Sequence, residues 1–378
     1  MTRAEVDLSA ISYNIKQVAH RVGANTRILG VMKANAYGHG LAAASQAVLE
    51  SGASYLGVAF DEEGIDLRKH TQVPILVFSP PIEDSFESYI RFDLDSTLTS
   101  VVTAYSLNAV ARASGRKARV QIKVDTGMGR LGFFPKEALD AVRVISSLDS
   151  LTLVGVYSHF ATSDEANKEF ALRQLTAFRG VVAGVKDMGL DSLIFHMANS
   201  GAILDMHDTS FDMVRPGIMS YGYYPSIETS ESVDIKPALS LKSAVAQVKN
   251  FPAGASVSYG RRYFTKKNCR IAVIPVGYGD GFTRLLTGKA NVIIKGKKFP
   301  VVGTITMDHV MVDVGAEYDI QPGDEVTLIG RDGEESITAW DLAASIGTIP
   351  YEILCMINGR VPRVYNGIEP SHGERENP

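Results

Sequence analysis

Residues 27–40 read RILGVMKANAYGHG, an apolar run that leads to Lys33 and then to small residues, a tyrosine and two glycines. Such a run predicts a buried strand followed by a loop that allows close backbone approach. Lys33 would then lie at the carboxyl end of that strand. A solvated lysine at a strand edge is the alternative, and the pattern alone leaves it open.

Seven further β-rich runs follow, and helical patterns separate most of them. The eight runs are RILGVMK (27–33), YLGVAF (55–60), VPILVF (73–78), LDSTLT (94–99), ARVQIKVD (118–125), LTLVGVYSHF (151–160), SLIFHM (192–197) and MVRPGIMSYG (213–222). Within residues 164–187 an apolar stripe recurs at helical spacing, at Ala171, Leu175, Phe178, Val182 and Val185. Strands that alternate with helices are typical of parallel βαβ units, and eight of them predict a closed (β/α)8 barrel of the TIM type.

The pattern changes after about residue 235. Short β-rich runs there lie between turn-forming segments such as PAGAS, KGKKFP and QPGDE. This spacing predicts a mainly antiparallel β domain, covered by one or two helices near residues 338–358. We therefore expect a barrel domain at residues 1–234, whose first few residues are candidates for pairing with the β domain, and a β domain at residues 235–378. The last residues, SHGERENP, are expected to form a frayed tail.

Composition narrows the classes of function. The chain has 378 residues, 45% of them hydrophobic, and a net charge of −4, which does not favour a nucleic-acid or membrane partner. The start, MTRAEVDLSA, has neither the basic nor the apolar region of a signal peptide, and no run reaches the roughly 20 apolar residues that cross a bilayer. Cys269 and Cys355 lack metal-ligand spacing, so we expect no metal and two buried thiols in a cytoplasmic protein.

Ionisable and small residues are concentrated at the predicted strand ends, which form the active face of barrel enzymes. The residues at these ends are Lys33, Lys123, Asp125, Arg130, His159, Asn199, Ser200, Arg215, Gly217 and Ile218. The loops after strands seven and eight are the usual phosphate site of such barrels. A phosphate site opposite a lysine suits pyridoxal phosphate, which binds through its phosphate and covalently through lysine.

Ten segments, taken in order, resemble the alanine racemase family over nearly the whole chain. They are AEVDLSAI, VMKANAYGHG, VDTGMGRLGF, SHFATSDE, HMANSGA, RPGIMSYG, VSYGRRY, IPVGYGDGF, GTITMDHVMVDVG and NGRVPRVY. Each segment alone is a weak signal, whereas ten in the same order are a specific one.

The resemblance implies that the protein interconverts L- and D-alanine with pyridoxal 5'-phosphate as its cofactor. This reaction would supply D-alanine for cell-wall peptidoglycan. Lys33 would hold the cofactor and act as one base, and Tyr259 would be the opposite base. Implied cofactor contacts are Tyr37, His159, Asn199, Ser200, Arg215, Gly217 and Ile218; implied substrate contacts are Arg130, Tyr278 and the backbone of Met307; implied supporting residues are Lys123, His196 and Asp308. The family also implies a head-to-tail homodimer with shared sites, in which Tyr259 and Met307 come from the partner subunit.

The chemistry explains these residue types. Racemisation uses a base on each face of Cα, and a phenol serves as one only where positive charge or hydrogen bonds stabilise its phenolate. His159, with Arg215 beyond it, is the candidate source of the charge or hydrogen bonds that would stabilise the phenolate. An arginine at the pyridine nitrogen, with a pKa above about 12, does not protonate the ring, which favours racemisation over transamination. His196 would hold Arg215 in place, and a purely structural role is its alternative. Lys123 would be carbamylated, and an ordinary ion pair with a neighbouring carboxylate is its alternative.

The chain departs from the family pattern near the substrate side chain. Asn358 and Gly359 replace a common tyrosine before RVPR, and Thr306 replaces a frequent cysteine. The lost phenol would open space, so serine is a candidate side substrate. The alternatives are a serine or broader-specificity racemase, a pyridoxal-phosphate-dependent decarboxylase, and a non-catalytic cofactor carrier. Arg215 argues against the decarboxylase, which would place a carboxylate near the pyridine nitrogen, and the β domain argues against the carrier.

Overall fold

The computed structural model describes residues 1–367 of the chain, as two compact units. The barrel unit comprises residues 10–36 and 41–237, and the β unit comprises residues 1–9, 37–40 and 238–367. The tail predicted at residues 371–378 lies outside the described residues. The domain boundary between residues 234 and 235 stays a prediction.

Strands and helices alternate in the first part of the chain, and strands dominate the second. The strands are β1 Arg3–Asp7, β2 Arg27–Val31, β3 Tyr55–Val58, β4 Ile75–Val77, β5 Leu94–Leu98, β6 Ala118–Lys123, β7 Leu151–Tyr157, β8 Ile194–His196, β9 Met213–Val214, β10 Leu239–Ala244, β11 Gln247–Phe251, β12 Ser256–Val257, β13 Tyr263–Phe264, β14 Cys269–Ile274, β15 Asn291–Ile294, β16 Lys297–Val302, β17 Val310–Gly315, β18 Glu325–Asp332, β19 Glu335–Ile337 and β20 Arg363–Asn366. The helices are α1 Leu8–Val22, α2 Lys33–Tyr37, α3 Leu41–Glu50, α4 Asp61–Arg68, α5 Phe86–Arg91, α6 Val101–Ala113, α7 Pro135–Ser146, α8 Glu169–Asp187, α9 Ser200–Asp205, α10 Ala339–Ile346 and α11 Pro350–Met356. Within residues 1–367 every helix is too short or too polar to cross a membrane.

Strands β2 to β9 form a closed parallel barrel, in which β9 pairs with β2. The predicted (β/α)8 barrel is therefore confirmed, and each of the eight predicted runs contains one of its strands. The weakest run, 94–99, forms β5, all of whose residues are buried. The stripe predicted within residues 164–187 lies on α8, and its five apolar residues are all buried.

The first and eighth runs form shorter strands than we predicted. β2 ends at Val31, so Lys33 lies beyond the strand as the first residue of α2. β9 ends at Val214, and a 3-10 turn follows at Ile218–Tyr221. Pro216 accounts for the early end of β9, because proline has no N–H to donate to a neighbouring strand.

The turn α2 is left-handed. Ala34, Asn35, Ala36 and Tyr37 all have φ between 51° and 54°. This conformation costs an L-residue roughly 1–2 kcal/mol. The Ala36 N–H donates to the carbonyl of Met32 at 2.8 Å, which closes the turn. Backbone strain persists where the surrounding structure enforces it, and it is concentrated at functional sites. The turn therefore marks the segment after Lys33 as part of a candidate site.

The β unit contains a ten-stranded sheet of order β11-β14-β17-β16-β15-β18-β10-β1-β20, in which β19 pairs with β18. β1 is antiparallel to β10 and parallel to β20, and the other pairings are antiparallel. The predicted mainly antiparallel domain is confirmed, and α10 and α11 lie within the predicted helical segment. Cys269 is buried, but Cys355 is exposed, because α11 turns Ile353 and Leu354 inward instead. The expectation of two buried thiols was wrong for Cys355.

Asn14 in α1 joins three segments of the barrel unit. It is fully buried, and its Nδ2 donates to the carbonyls of Ser220 and Lys236 at 3.1 and 2.9 Å. Its Oδ1 accepts from the Lys236 N–H at 2.7 Å. Gly222 permits this approach, since its φ is 86° and a Cβ there would lie 1.9 Å from the Lys236 carbonyl.

We expect Asn14→Ala to lower the free energy of unfolding by roughly 2–3 kcal/mol, because it leaves buried backbone groups without partners. Urea unfolding measures the change. Lys16→Ala is the matched control, since Lys16 is exposed on the same helix, and its effect should stay within about 0.5 kcal/mol. Equal losses for the two variants would contradict the bridging role of Asn14.

Candidate active site

Arg215 is the centre of the candidate site in the barrel unit. The residue is 3% exposed. Its Nη2 donates to the carbonyls of Ser158 and Met197, at 2.7 and 2.9 Å. Its terminal nitrogens also donate to Nδ1 of His196 at 2.6 Å and to Nδ1 of His159 at 3.1 Å. The Nε–H of Arg215 makes no hydrogen bond within residues 1–367, so it can serve a ligand.

Burial shifts the protonation of this cluster. It lowers the pKa of Arg215 to about 10, below the value above 12 that we expected, and the guanidinium is still charged at neutral pH. Burial, followed by the charge of Arg215, lowers the pKa of His196 well below its usual value. The pKa of His159 is also lowered well below its usual value, by burial and then by the charges of Arg215, Lys123, Arg130 and Lys33. His159 is therefore neutral, so it can offer a hydrogen bond to a phenolate but not charge.

Four basic side chains therefore act on the half-buried His159. They are the predicted site residues Lys33, Lys123, Arg130 and Arg215. So much positive charge at the carboxyl ends of barrel strands favours anionic ligands. The structure thus places these four predicted residues around His159, and Arg215 and Lys123 also act on His196.

Lys123 ends β6 and is 6% exposed. Its Nζ lies 4.4 Å from the ring centroid of Tyr157, which itself stacks on His196 at 4.8 Å. Burial, and then the charges of Arg215 and Arg130, lower the pKa of Lys123 well below 10.5. No ion pair among the described residues includes Lys123, so the geometry does not support an ordinary ion pair there.

Asp125 shapes the loop that carries Arg130. Its Oδ1 accepts from the N–H groups of Gly127 and Gly129 at 2.9 and 3.1 Å, and its Oδ2 accepts from the Arg130 N–H at 3.1 Å. Both glycines have positive φ, 137° and 69°, which lets successive N–H groups turn toward one carboxylate. Arg130 follows with an exposed side chain.

The loops after β8 and β9 meet at Ser200. Its Oγ accepts from the Gly217 N–H at 3.0 Å. Asn199 caps α9, because its Oδ1 accepts from the Ala202 N–H at 3.2 Å. The N–H of Ile218 has no hydrogen-bond partner in the described part of the chain. Backbone donors beside a helix start suit a phosphate, and with the Nε–H of Arg215 they fit pyridoxal phosphate.

Tyr37 belongs to the β unit rather than to the barrel unit. Its side chain is 5% exposed, and its ring centroid lies 5.9 Å from that of Tyr351. The other predicted phosphate contacts, Asn199, Ser200, Gly217 and Ile218, all lie in the barrel unit. The predicted contact of Tyr37 with the phosphate stays a prediction.

The β unit carries a second group of predicted residues around one cleft of about 750 Å³. The cleft is lined by Ser258, Tyr259, Val273, Tyr278, Thr306, Met307, Asp308, His309 and Met311. Tyr259, Tyr278 and Met307 are 73%, 43% and 52% exposed. Three large exposed side chains in one cleft favour a binding surface.

Backbone contacts fix the position of this cleft's predicted residues. The Thr304 hydroxyl donates to the carbonyl of Tyr259 at 2.9 Å, and the Tyr278 N–H donates to the carbonyl of Thr306 at 3.1 Å. The N–H of Met307 makes no hydrogen bond within the described chain, so it can serve a substrate carboxylate. Asp308 pairs with Arg360 at 2.5 Å.

Sequence reasoning missed three residues behind Arg215. Tyr157 stacks on His196, Gln121 accepts from it at 2.7 Å, and Asp95 accepts from Gln121 at 2.9 Å. The available signal was the polar residues at alternate positions of ARVQIKVD and LDSTL, because the interior of a barrel is usually filled by Val, Ile and Leu.

Comparisons with known proteins match both units. Residues 6–225 match the family described as alanine racemase, N-terminal domain, and residues 238–365 match alanine racemase, C-terminal domain. An alanine racemase of Halothermothrix orenii is 41% identical over 365 residues, covering 96% of each chain. The solved alanine racemase of Clostridium difficile 630 has a TM-score of 0.93 at 38% identity and covers 97% of this chain and 96% of its own. The alanine racemase of Bartonella henselae with covalently bound pyridoxal phosphate has a TM-score of 0.87 at 30% identity and covers 97% and 99%.

Asp125 should give the fold a pH-dependent stability. Burial raises its pKa, but hydrogen bonds from the N–H groups of Gly127, Gly129 and Arg130 lower it by more, so that the pKa lies below 3.8. A carboxylate with a lowered folded pKa stabilises the fold above its unfolded pKa, and this contribution is lost as pH falls through the folded value. We expect Asp125→Asn to lower the free energy of unfolding by roughly 1–2 kcal/mol at neutral pH.

Urea unfolding across a pH series measures this difference, which should shrink below pH 3.8 as the wild-type carboxyl also becomes neutral. The control is Asp140→Asn, because Asp140 is 80% exposed and its pair with Arg143 is worth less than about 1 kcal/mol. A deficit in Asp125→Asn that stays constant to the lowest pH would contradict this account.

Proposed function

The chain belongs to the alanine racemase family, and from this premise we propose that it interconverts L- and D-alanine with pyridoxal 5'-phosphate. The observation that carries the proposal is Arg215, a buried cationic side chain held by two backbone carbonyls and two imidazoles, with a free Nε–H. Supply of D-alanine for peptidoglycan and a cytoplasmic location are part of the proposal. Family membership sets aside the decarboxylase and carrier alternatives.

Each step of the proposed reaction can be assigned to a residue of this chain. Pyridoxal phosphate, when bound, makes the Cα proton of an amino acid acidic enough for a side chain to remove. Lys33 would hold the cofactor and exchange the proton on one face of Cα, and Tyr259 would exchange it on the other. Arg130 and the Met307 N–H would bind the carboxylate of the substrate.

Arg215 decides what happens to the proton. It would face the pyridine nitrogen and, with a pKa of about 10, it keeps its own proton at neutral pH. Because Arg215 keeps its proton, the cofactor, when bound, would withdraw less electron density, and Lys33 or Tyr259 would return the proton to Cα. This behaviour favours racemisation over transamination.

We include carbamylation of Lys123 in the proposal. Its pKa is lowered by burial and by Arg215 and Arg130, and a neutral amine is the form that adds to carbon dioxide. The addition forms an N–C bond, releases one proton and leaves an anion. A carbamate at Lys123 would hold Arg130 by charge and hydrogen bonds.

A homodimer would unite the two groups of residues. The barrel unit exposes large apolar side chains in the loops and helix starts that follow β3, β4, β5 and β6: Phe60, Ile82, Val102 and Phe134. The β unit exposes Tyr259 and Met307. Such surfaces suit burial against a second copy of the chain, and the second base would then be Tyr259 of the partner subunit.

We expect the purified holoenzyme to racemise single enantiomers of alanine, followed by optical rotation. Tyr259→Phe should slow racemisation by about 10²–10⁴, because one of two bases is lost. In deuterium oxide this variant should still exchange the Cα proton of one enantiomer, since Lys33 remains. Tyr105→Phe removes an exposed hydroxyl on α6 and is the control. Full racemisation by Tyr259→Phe would overturn the two-base proposal.

Gly359 favours a second activity on serine. A Cβ at Gly359 would have no neighbouring atom within 4 Å, and discrimination against one added hydroxyl is weak in any case. We expect the ratio of kcat/KM for L-alanine to that for L-serine to lie below about 10⁴. Gly359→Tyr should raise this ratio about tenfold by filling the space, whereas Gly359→Ala should leave it nearly unchanged. A wild-type ratio above that limit would count against serine turnover.

A further inference from the structure

A line of hydrogen bonds inside the barrel leads from Asp95 to Arg215. Asp95 of β5 and Gln121 of β6 are both fully buried. Arg119 donates from Nε to Oδ1 of Asp95 at 2.6 Å, and Gln121 donates from Nε2 to Oδ2 of Asp95 at 2.9 Å. The Tyr55 hydroxyl also donates to Asp95. Both oxygens of this buried carboxylate are therefore engaged.

The carboxylate decides which way the Gln121 amide faces. An ionised carboxylate can only accept, so the NH₂ group of Gln121 must face Asp95. Its carbonyl Oε1 then faces Nε2 of His196, at 2.7 Å. A carbonyl oxygen also can only accept, and the proton of neutral His196 must lie on Nε2.

This tautomer leaves a lone pair on Nδ1 of His196. Arg215 has only donors, and its Nη1 lies 2.6 Å from that Nδ1. With a proton on Nδ1 instead, two donors would face each other in a buried site. The hydrogen bond from Nη1, one of the four that orient the guanidinium, therefore depends on a carboxylate that does not touch Arg215.

We propose that Asp95 and Gln121 are positioning residues, which fix the Nε2–H tautomer of His196 and so hold Arg215 in the single orientation that serves the cofactor. The inference rests on the proposed function for its catalytic meaning. The lowered pKa of His196 agrees with it, because the tautomer argument requires a neutral imidazole. Stability alone is a weak explanation for the network, since buried ionic groups can often be replaced by apolar ones without loss.

Asp95→Asn is the sharpest variant because it changes no shape. Arg119 would keep the amide oxygen of residue 95 toward itself, and the new NH₂ would then face Gln121. The Gln121 amide would turn over and present its own NH₂ to His196, which moves the imidazole proton to Nδ1. Gln121→Met removes the acceptor at Nε2 altogether and serves as the second variant.

Nitrogen-15 NMR of histidine-labelled holoenzyme, assigned with His196→Asn, reads the tautomer directly. We expect Nε2–H in the wild type, Nδ1–H in Asp95→Asn, and a loss of the pure Nε2–H signal in Gln121→Met. Both variants should lower kcat for alanine by about tenfold to a hundredfold, because Arg215 is displaced. The matched control is Ser96→Ala: Ser96 is buried beside Asp95, and its hydroxyl makes no hydrogen bond in the described chain. This variant should keep both the tautomer and kcat.

Two results would overturn the proposal: His196 protonated on Nδ1 in the wild type, or the Nε2–H signal and full kcat retained in Asp95→Asn. If Asp95→Asn fails to fold, the wild-type spectrum and the Gln121→Met variant still test whether the network fixes the His196 tautomer. A wild type that shows Nε2–H but does not racemise alanine supports the positioning role and contradicts the proposed function, so the two failures are distinguishable.

Discussion

The buried guanidinium of Arg215 is the constraint on which the rest of the site depends. Removing a charge from water costs several kcal/mol unless hydrogen bonds replace its hydration. The barrel supplies four acceptors for this charge, from β-strand ends and the loops beyond them. Two of these are imidazoles, which can accept only while they are neutral. Burial raises the free-energy cost of the charged guanidinium. The same burial lowers the pKa of both histidines and so keeps them neutral.

The basic side chains near Arg215 also contribute to the electrostatics of the site. Lys33, Lys123 and Arg130 all act on His159 together with Arg215. The Asp125 carboxylate is engaged by loop N–H groups. The positive charge concentrated at the barrel mouth therefore favours anionic ligands.

Much of this could be predicted from the sequence. Alternating runs and helical stripes were enough for the barrel, and the placement of Lys123 and Ser200 followed from counting strands. The early end of β2 was harder to predict, because RILGVMK continues with the apolar Met32 after Val31, whereas Pro216, which ends β9, is visible in the sequence. The protonation of His159 could not be predicted, since it depends on burial and on four charges from distant parts of the chain. Asp95 and Gln121 were missed because their partnership depends on the register of β5 against β6.

The left-handed turn that begins at Lys33 bears on how the lysine moves. Four successive residues confined to a narrow region of backbone space restrict the Cα of Lys33, whereas the four-carbon stem of a lysine has torsions of its own. Motion of the amine can therefore come from side-chain torsions alone, on the fast timescale of rotamer changes. The entropy lost in ordering this backbone is incurred once, during folding, rather than each time the side chain moves.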